Sequence, residues 1–163
     1  MADFVYSPMF PQTLDATEYE LVSSEHVRLV EIDGEPFLRV EPEALTLLAE
    51  RAFFDISHLL RSSHLAQLAN ILKDADATKN DRFVALEMLK NAVISAEGLL
   101  PMCQDTGTAL ISAYRGDHVL VSGDDGEALS RGVYNTYKNH NLRYSQLSAQ
   151  TMFDEINTAT NLP

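Results

Sequence analysis

The first clear pattern of alternating side chains predicts a β-hairpin. Apolar and polar residues alternate over 27–33 and again over 36–40, on either side of Asp33-Gly34-Glu35. Such alternation is typical of strands with one buried face, and Asp-Gly is a favoured hairpin turn. We expect this hairpin to be a local lid or an edge. Residues 7–25 contain two prolines and polar, threonine-rich spacing, which predicts an extended arm that settles on another surface.

From Pro42 onward the apolar residues follow a helical period. The spacing predicts helices over 42–60, from residues 62–63 onward, and over about 81–96. Ser62 or Ser63 can cap the second helix, and Gly98 can end the third. The predicted core-facing residues are Leu45, Leu48, Ala49, Ala52, Phe53, Ile56, Leu59 and Leu60, then Leu65, Leu68, Ala69 and Leu72, then Phe83, Leu86, Leu89, Val93 and the stem of Lys90.

The last third of the chain predicts short strands and one more helix. Residues 108–114 and 118–121 have strand character and are joined by Arg115-Gly116-Asp117, which indicates a second hairpin. A turn at 123–126 leads to a helix over 127–139. The inner face of that helix is predicted to hold Leu129, Val133 and Tyr137. The sum is an α+β fold, a helix-rich domain with short β-hairpins or a small antiparallel sheet.

Composition narrows the class of protein. The chain has 163 residues, of which 45% are hydrophobic and 22% charged, which suits one globular domain with a real core. Its net charge of -12 argues against nucleic-acid binding, because that affinity depends on clustered Lys and Arg. Apolar runs fall far short of the roughly 20 residues of a membrane helix. The first residues lack the basic and apolar regions of a secretory signal, so we expect none. We expect a soluble cytoplasmic protein without nucleic-acid or membrane partners.

Cys103 is the single cysteine, and it opens the polar run Cys-Gln-Asp-Thr-Gly-Thr at 103–108. Lone cysteines are usually small buried hydrophobes, but a polar turn after a proline is poor placement for one. A metal ligand or a nucleophile therefore competes with that role. One thiolate does not normally hold zinc or an iron–sulfur cluster, and the five histidines show no ligand spacing to it. A nucleophile would need a histidine base brought near by the fold.

The neighbouring candidates leave alternatives open. Asp105 can transfer a proton or orient a substrate hydroxyl, or it can be the Asx-turn residue that caps Gly107. His58 and His64 lie in or beside apolar helices, which favours packing or surface roles. The run at 157–163 ends extended on a proline, as expected of a truncated chain, although a natural terminus can end the same way.

Four runs together closely resemble the class I, iron–sulfur-dependent fumarate hydratases. They are residues 99–109, around the cysteine, and residues 131–137, 141–145 and 157–163. The resemblance extends over essentially the whole chain and corresponds to the amino-terminal part of that family's α-type catalytic domain. It implies an extended arm and hairpin over 1–41 and a helical α+β part over 42–163, in a fragment of a longer enzyme. Related tartrate dehydratases share the cysteine turn, but the hairpin and the 131–137 run are more like the long single-chain fumarases.

The resemblance also implies a chemistry. It implies a [4Fe-4S] cluster held by three cysteines, with an open iron for the substrate, and Cys103 matches the first ligand. Gln104 and Asp105 match substrate-binding positions, with Asp105 also catalytic, and Arg143 matches a residue that clamps a dicarboxylate. The expected partner is fumarate or malate, and the expected assembly a cytoplasmic homodimer. The remaining ligands and the base would lie beyond Pro163, so this fragment is expected to be inactive and without an intact cluster. The alternatives are a tartrate dehydratase-like hydro-lyase or a truncated interaction paralogue.

Overall fold

Four helices and five short strands make up the described part of the chain. The computed structural model describes residues 3–7, 19–103, 107–143, 145–160 and 162. The elements are β1 (Val27–Ile32), β2 (Glu35–Val40), α1 (Pro42–His58), α2 (Ser62–Ile71), α3 (Lys79–Ser95), β3 (Val119–Val121), α4 (Asp125–Asn139), β4 (Leu147–Ala149) and β5 (Glu155–Asn157). The predicted α+β class is confirmed. Most of the predicted arm lies outside the described residues, and the division at residue 41 stays a prediction.

The first hairpin forms as predicted. β1 and β2 pair antiparallel, and the two turn residues Asp33 and Gly34 both have positive φ, at 52° and 84°. A two-residue hairpin turn needs this backbone because it matches the twist of the strands. β2 then pairs in parallel with β3, with Leu38 opposite Val119. The hairpin is therefore not a lid: β2 is the middle strand of a three-stranded mixed sheet, and β1 is its edge.

The prediction of a second hairpin, between residues 108–114 and 118–121, is wrong. Residues 108–114 all lie in the described part of the chain, and none of them belongs to a strand. β3 pairs with β2 instead, and the ring of His118 stacks on Phe37 at a centroid distance of 4.7 Å. An alternating pattern predicts that a segment is a strand, but it does not predict which strand it pairs with. Here the partner is β2, which is distant in the sequence, so local spacing cannot reveal the pairing. The other two-stranded sheet, β4 with β5, is antiparallel.

Helices α1 and α4 pack at very short range. A Cβ added at Gly132 would lie 2.7 Å from the Ala49 Cβ and 2.9 Å from the Glu50 nitrogen, and closer still to the Thr46 carbonyl oxygen. Only glycine allows this approach. Val133, beside it, is 1% exposed, so the predicted inner face of α4 is confirmed at its centre. α4 begins at Asp125, two residues earlier than predicted, because Asp124 caps it with a hydrogen bond from the Glu127 nitrogen.

The predicted inner face of α3 is largely wrong. Phe83, Leu86 and Val93 are 60%, 41% and 70% exposed. The buried residues of α3 are the small ones, Ala85, Ala92 and Ser95. Apolar residues lie on all faces of α3, so the helical period does not show which face is buried. The face that packs against the rest of the chain is the one with small side chains, which allow a close approach.

The apolar faces of α1 and α2 are narrower than predicted. In α1 the buried apolar residues are Ala49 and Phe53, whereas Leu48 and Ile56 are 51% and 64% exposed. In α2 only Leu68 is buried. Contact with one neighbouring helix covers a stripe, and the flanks of a broad apolar face stay uncovered.

The observed helix ends agree only in part with the caps and ends that the sequence predicts. Neither predicted serine caps α2: the N-cap is Arg61, without a side-chain cap. α3 starts two residues earlier than predicted, because Thr78 and Asp81 form a reciprocal capping box. Gly98 follows the end of α3 with a φ of 75°, as the prediction of a stop requires. Among the described residues, no helix is long and apolar enough to span a bilayer.

Candidate functional site

Cys103 sits on a turn whose backbone is held by two helices. Its side chain is exposed, so the prediction that the thiol is not a core residue is confirmed. The Cys103 N–H donates to Oδ1 of Asn91 at 3.0 Å, and the Met102 N–H donates to the carbonyl of Ser57 at 2.9 Å. Asn91 belongs to α3 and Ser57 to the end of α1. Two consecutive amides of the turn are thus fixed by two different elements.

The end of α1 that receives this turn is itself well bonded. The Ser95 hydroxyl, fully buried, donates to the carbonyl of His58 at 2.8 Å. His58 is 1% exposed, its Nδ1 donates to the Phe54 carbonyl at 2.8 Å, and its ring stacks on Phe54. The bond from Ser95 to His58, like the one from Met102 to Ser57, satisfies a helix-end carbonyl that would otherwise lack a partner. The packing role predicted for His58 is confirmed.

A mainly apolar cavity opens beside the thiol. It has a volume of about 460 Å³, and its lining includes Cys103, His64, Glu87 and Asn91. His64 is exposed, in agreement with the surface role predicted for it. The fold thus brings one histidine to the same cavity as the thiol, as a nucleophilic cysteine would require. The other lining residues are Leu60, Phe83, Val84, Met88 and Met102.

The segment with Arg143 is tied to the beginning of the cysteine turn. The Asn141 side-chain nitrogen donates to the carbonyl of Leu99 at 3.1 Å, and Leu142 is 3% exposed. Arg143, the next residue, is exposed. A buried leucine and an amide hydrogen bond therefore anchor the backbone that carries the guanidinium. Gln104 and Asp105 lie outside the described residues, so their predicted roles stay predictions.

Residues after the cysteine turn meet the end of the chain at Gln146. This side chain is 7% exposed, and its Nε2 donates to the Thr108 hydroxyl at 2.9 Å. Its backbone carbonyl accepts from the Thr158 nitrogen at 2.9 Å. Oε1 of Gln146 is buried without a hydrogen-bond partner in the described structure. Beside it, Ala159 has a φ of 56°, unusual for a residue with a side chain.

A second cluster of polar side chains lies away from the cysteine turn. Among the described residues, His26, Glu41 and Glu43 are the group whose potential ligand atoms lie within 4.8 Å of one another. His26 Nδ1 is 3.3 Å from Glu41 Oε2, and both side chains are partly exposed. The backbone nitrogen of Glu41 also donates to the His26 carbonyl at 2.9 Å. These contacts close the open end of the hairpin, which explains the cluster without an ion.

Several residues of the site were not among the sequence candidates. They are Ser57, Asn91, Ser95 and Gln146, all of which act through hydrogen bonds to distant parts of the chain. One signal existed for Asn91, because an asparagine inside a helix is a poor helix former and calls for a hydrogen-bond partner. No such local signal marked the other three.

The four runs that carry the resemblance divide into two roles. Residues 99, 102, 103, 108, 141, 157 and 158 form hydrogen bonds in and around the cysteine turn. Residues 131–137 lie within α4, where Gly132 and Thr136 form the contact with α1. One run thus shapes the scaffold, and the others build the candidate site.

Comparison with known proteins identifies the family of this chain. Residues 46–163 match the family model described as Fumarate hydratase (Fumerase). The chain is 54% identical over 160 residues to "Fumarate hydratase class I, anaerobic" of Escherichia coli (strain K12), covering 98% of this chain and 29% of that protein. It is 52% identical over 166 residues to "Fumarate hydratase 1, mitochondrial" of Leishmania major, covering 100% of this chain and 30% of that protein. The chain thus spans less than a third of these relatives, and it belongs to the fumarate hydratase family.

Proposed function

We propose that the protein carrying this chain catalyses the reversible hydration of fumarate to (S)-malate, and that the Cys103 turn is part of its active site. The observation that best supports this proposal is that two distant segments, Asn141–Arg143 and Gln146, are hydrogen-bonded to the two ends of the cysteine turn. Asn141 bonds to Leu99 at 3.1 Å, and Gln146 bonds to Thr108 at 2.9 Å. These residues are far apart in the sequence, and all but Gln146 belong to two of the runs that resemble the family. A third run joins them, because the Thr158 nitrogen donates to the Gln146 carbonyl. Such convergence of polar groups at an exposed turn is expected of a site rather than of a core.

The chemistry of Cys103 fits one corner of an iron–sulfur cluster. Cluster ligands are cysteine thiolates, and this thiol is exposed on a turn whose backbone is fixed. One thiolate is insufficient, so two further cysteines must come from outside these 163 residues. When bound, a [4Fe-4S] cluster with an open iron supplies a Lewis acid that polarises the substrate. This chain's own part is to present the first thiolate.

Arg143 is proposed to bind a substrate carboxylate. A guanidinium fork matches the two oxygens of a carboxylate, and such charge-assisted bonds are short and directional. The side chain is exposed on a backbone that Leu142 anchors by burial. Gln104 and Asp105 are proposed to contact the substrate from the cysteine turn, with Asp105 also acting in catalysis. A dicarboxylate would thus lie between the turn and the 141–143 segment.

Replacing Cys103 by serine tests the ligand assignment. In the protein at its natural length, Cys103→Ser is expected to abolish both the brown, oxygen-sensitive colour and fumarate hydration. Ser112→Ala, a change at another exposed position on the same connecting segment, is the control and should keep both. Full activity of the Cys103→Ser protein would contradict the proposal.

Replacing Arg143 tests the carboxylate contact. Arg143→Ala should raise the KM for fumarate and malate by about tenfold or more, because bonds to charged groups contribute roughly 1.5–3 kcal/mol. Arg131→Ala, which removes an exposed arginine paired with Glu127 at 3.1 Å, is the matched control and should leave KM unchanged. Equal KM values for the Arg143→Ala and wild-type proteins would rule out the clamp.

Two further functions are separated by simple measurements. Rates with fumarate, malate and tartrate distinguish a fumarase from a tartrate dehydratase-like hydro-lyase. A gene that stops directly after Pro163 would favour an interaction paralogue, whereas an open frame with more cysteines would favour the enzyme. The 163-residue chain alone is expected to show no turnover and no stoichiometric iron after anaerobic reconstitution.

We also propose a cytoplasmic homodimer. The single cysteine is consistent with a reducing compartment, since disulfide-rich chains belong to oxidising ones. The name of one Leishmania major relative places that protein in the mitochondrion, so relatives of this chain need not share one compartment. Cell fractionation tests the cytoplasmic location, and light scattering of the purified protein tests the homodimer.

A further inference from the structure

Asn91 is an unusual residue for its place. It lies inside α3 and is half-buried, and it lines the cavity beside Cys103. The rest of that wall is mostly apolar, with Phe83, Val84 and Met88 from the same helix. Asparagine is a poorer helix former than leucine, and a buried amide is unfavourable unless it is hydrogen-bonded. Helix stability and apolar packing both disfavour asparagine here.

A hydrogen bond to Cys103 explains why an asparagine stands at this position. Oδ1 of Asn91 accepts from the Cys103 N–H at 3.0 Å. This bond fixes the peptide plane that enters Cys103. The preceding plane is fixed by the Met102 N–H, which donates to the Ser57 carbonyl at 2.9 Å. With both planes held, few torsions remain between the helices and the sulfur, chiefly the φ and χ1 of the cysteine.

We propose that Asn91 is a positioning residue that aims the Cys103 thiolate for iron binding, an inference that rests on the proposed function. Metal ligands are commonly oriented by hydrogen bonds from residues that do not touch the metal, and losing such a bond lowers metal affinity about 10- to 100-fold. Asn91 acts through the backbone of Cys103. A neutral amide provides the acceptor without a negative charge beside an anionic thiolate.

Two variants separate the acceptor from the shape of the side chain. Asn91→Leu is close in size and removes the acceptor, whereas Asn91→Asp keeps an acceptor oxygen in the same place. Asn91→Ala is the second acceptor-free variant, in case leucine perturbs folding. Asn80→Leu makes the same change at an exposed position in the first turn of α3 and is the matched control.

Amide hydrogen exchange, measured without iron in the protein at its natural length, tests the bond itself. Asn91→Leu and Asn91→Ala should speed exchange of the Cys103 amide by about tenfold, because a net hydrogen bond of this kind corresponds to about that factor. Asn91→Asp and Asn80→Leu should stay close to the wild-type rate. Wild-type exchange in both acceptor-free variants would overturn the proposal.

Iron retention tests the positioning role. After anaerobic reconstitution, a chelator should remove iron from Asn91→Leu at roughly 10- to 100-fold lower concentration than from the wild type. Asn91→Asp should retain more iron than Asn91→Leu but less than the wild type, because it keeps the acceptor and adds a negative charge beside the thiolate. Faster amide exchange with unchanged iron retention would overturn the positioning role while leaving the proposed function intact. A wild-type protein that binds no iron at all would instead overturn the proposed function, and the iron-binding role of Asn91 with it.

Discussion

The two helix pairs of this protein differ in how they are packed. α1 and α4 meet through small residues, with Gly132 against Ala49, and their contact buries Val133 and Thr136 almost completely. α2 and α3 bury Leu68 on one helix and Ala85 and Ala92 on the other. The large side chains Phe83 and Val93 of α3 remain 60% and 70% exposed. The first pair therefore buries the centre of its contact, although Leu48 and Ile56 of α1 remain 51% and 64% exposed. In the second pair, the large side chains of α3 stay mostly exposed. Stability should depend chiefly on the first pair.

Hydrogen bonds strengthen this difference. Between α1 and α4, the Thr46 hydroxyl donates to the Ala128 carbonyl at 2.9 Å, and the Thr136 hydroxyl approaches the Glu50 carbonyl at 3.2 Å. Such bonds across a helix contact fix how the helices sit against one another, because each demands a particular geometry. The Cys103 turn is held by the end of α1 on one side and by α3 on the other. The candidate site thus joins one helix pair to the other.

Gly132→Ala should be the most damaging change in this comparison. The added Cβ meets backbone and Cβ atoms of α1 on several sides, and these cannot swing away. We expect a loss of about 3 kcal/mol of unfolding free energy, at the upper end of overpacking effects. Urea unfolding measures it. Gly116→Ala is the control, because a Cβ there would come no nearer than 3.6 Å to the Val119 side chain, and an equal loss there would contradict the tight contact.

A matched pair of valines compares the two helix pairs directly. Val133→Ala should lose about 2 kcal/mol, because the side chain is 1% exposed and its removal leaves a cavity. Val93→Ala should change stability by less than about 0.5 kcal/mol, because that side chain is 70% exposed. Thermal unfolding of both variants measures the difference. Similar losses would show that the α3 surface is covered in solution.

The smallest expected effect is at the start of α3, and it depends on pH. The Asp81 carboxylate accepts from the Thr78 N–H at 2.8 Å, and this bond, followed by the one with the Thr78 side chain, lowers the pKa of Asp81 below its ordinary 3.8. The stabilisation is thus complete above the ordinary pKa and is lost as pH falls through the lower, folded-state pKa. Asp81→Ala should lower the Tm at neutral pH, with the difference shrinking towards about pH 2. A difference independent of pH would contradict the capping role of the carboxylate.

Some residues of the candidate site could be predicted from the sequence, and others could not. Cys103 was singled out by its place in a polar turn, and Arg143 by resemblance to a family. Asn91 and Gln146 were not, because their importance comes from partners 12 and 38 residues away. No helix or strand period connects such positions. A side-chain amide shows its role only when its hydrogen-bond partner is known.

Local interactions were enough to determine the helices, the first hairpin and the class of the fold. Residues within about four positions of each other decide helix periodicity, capping and a two-residue turn, and these are written directly in the order of side chains. The tertiary structure alone decided that β3 joins β2 in parallel, that α3 buries its small residues, and that Asn91 meets Cys103. Those outcomes depend on shape and hydrogen bonding between distant segments, and many pairings are compatible with the same apolar pattern until the elements pack.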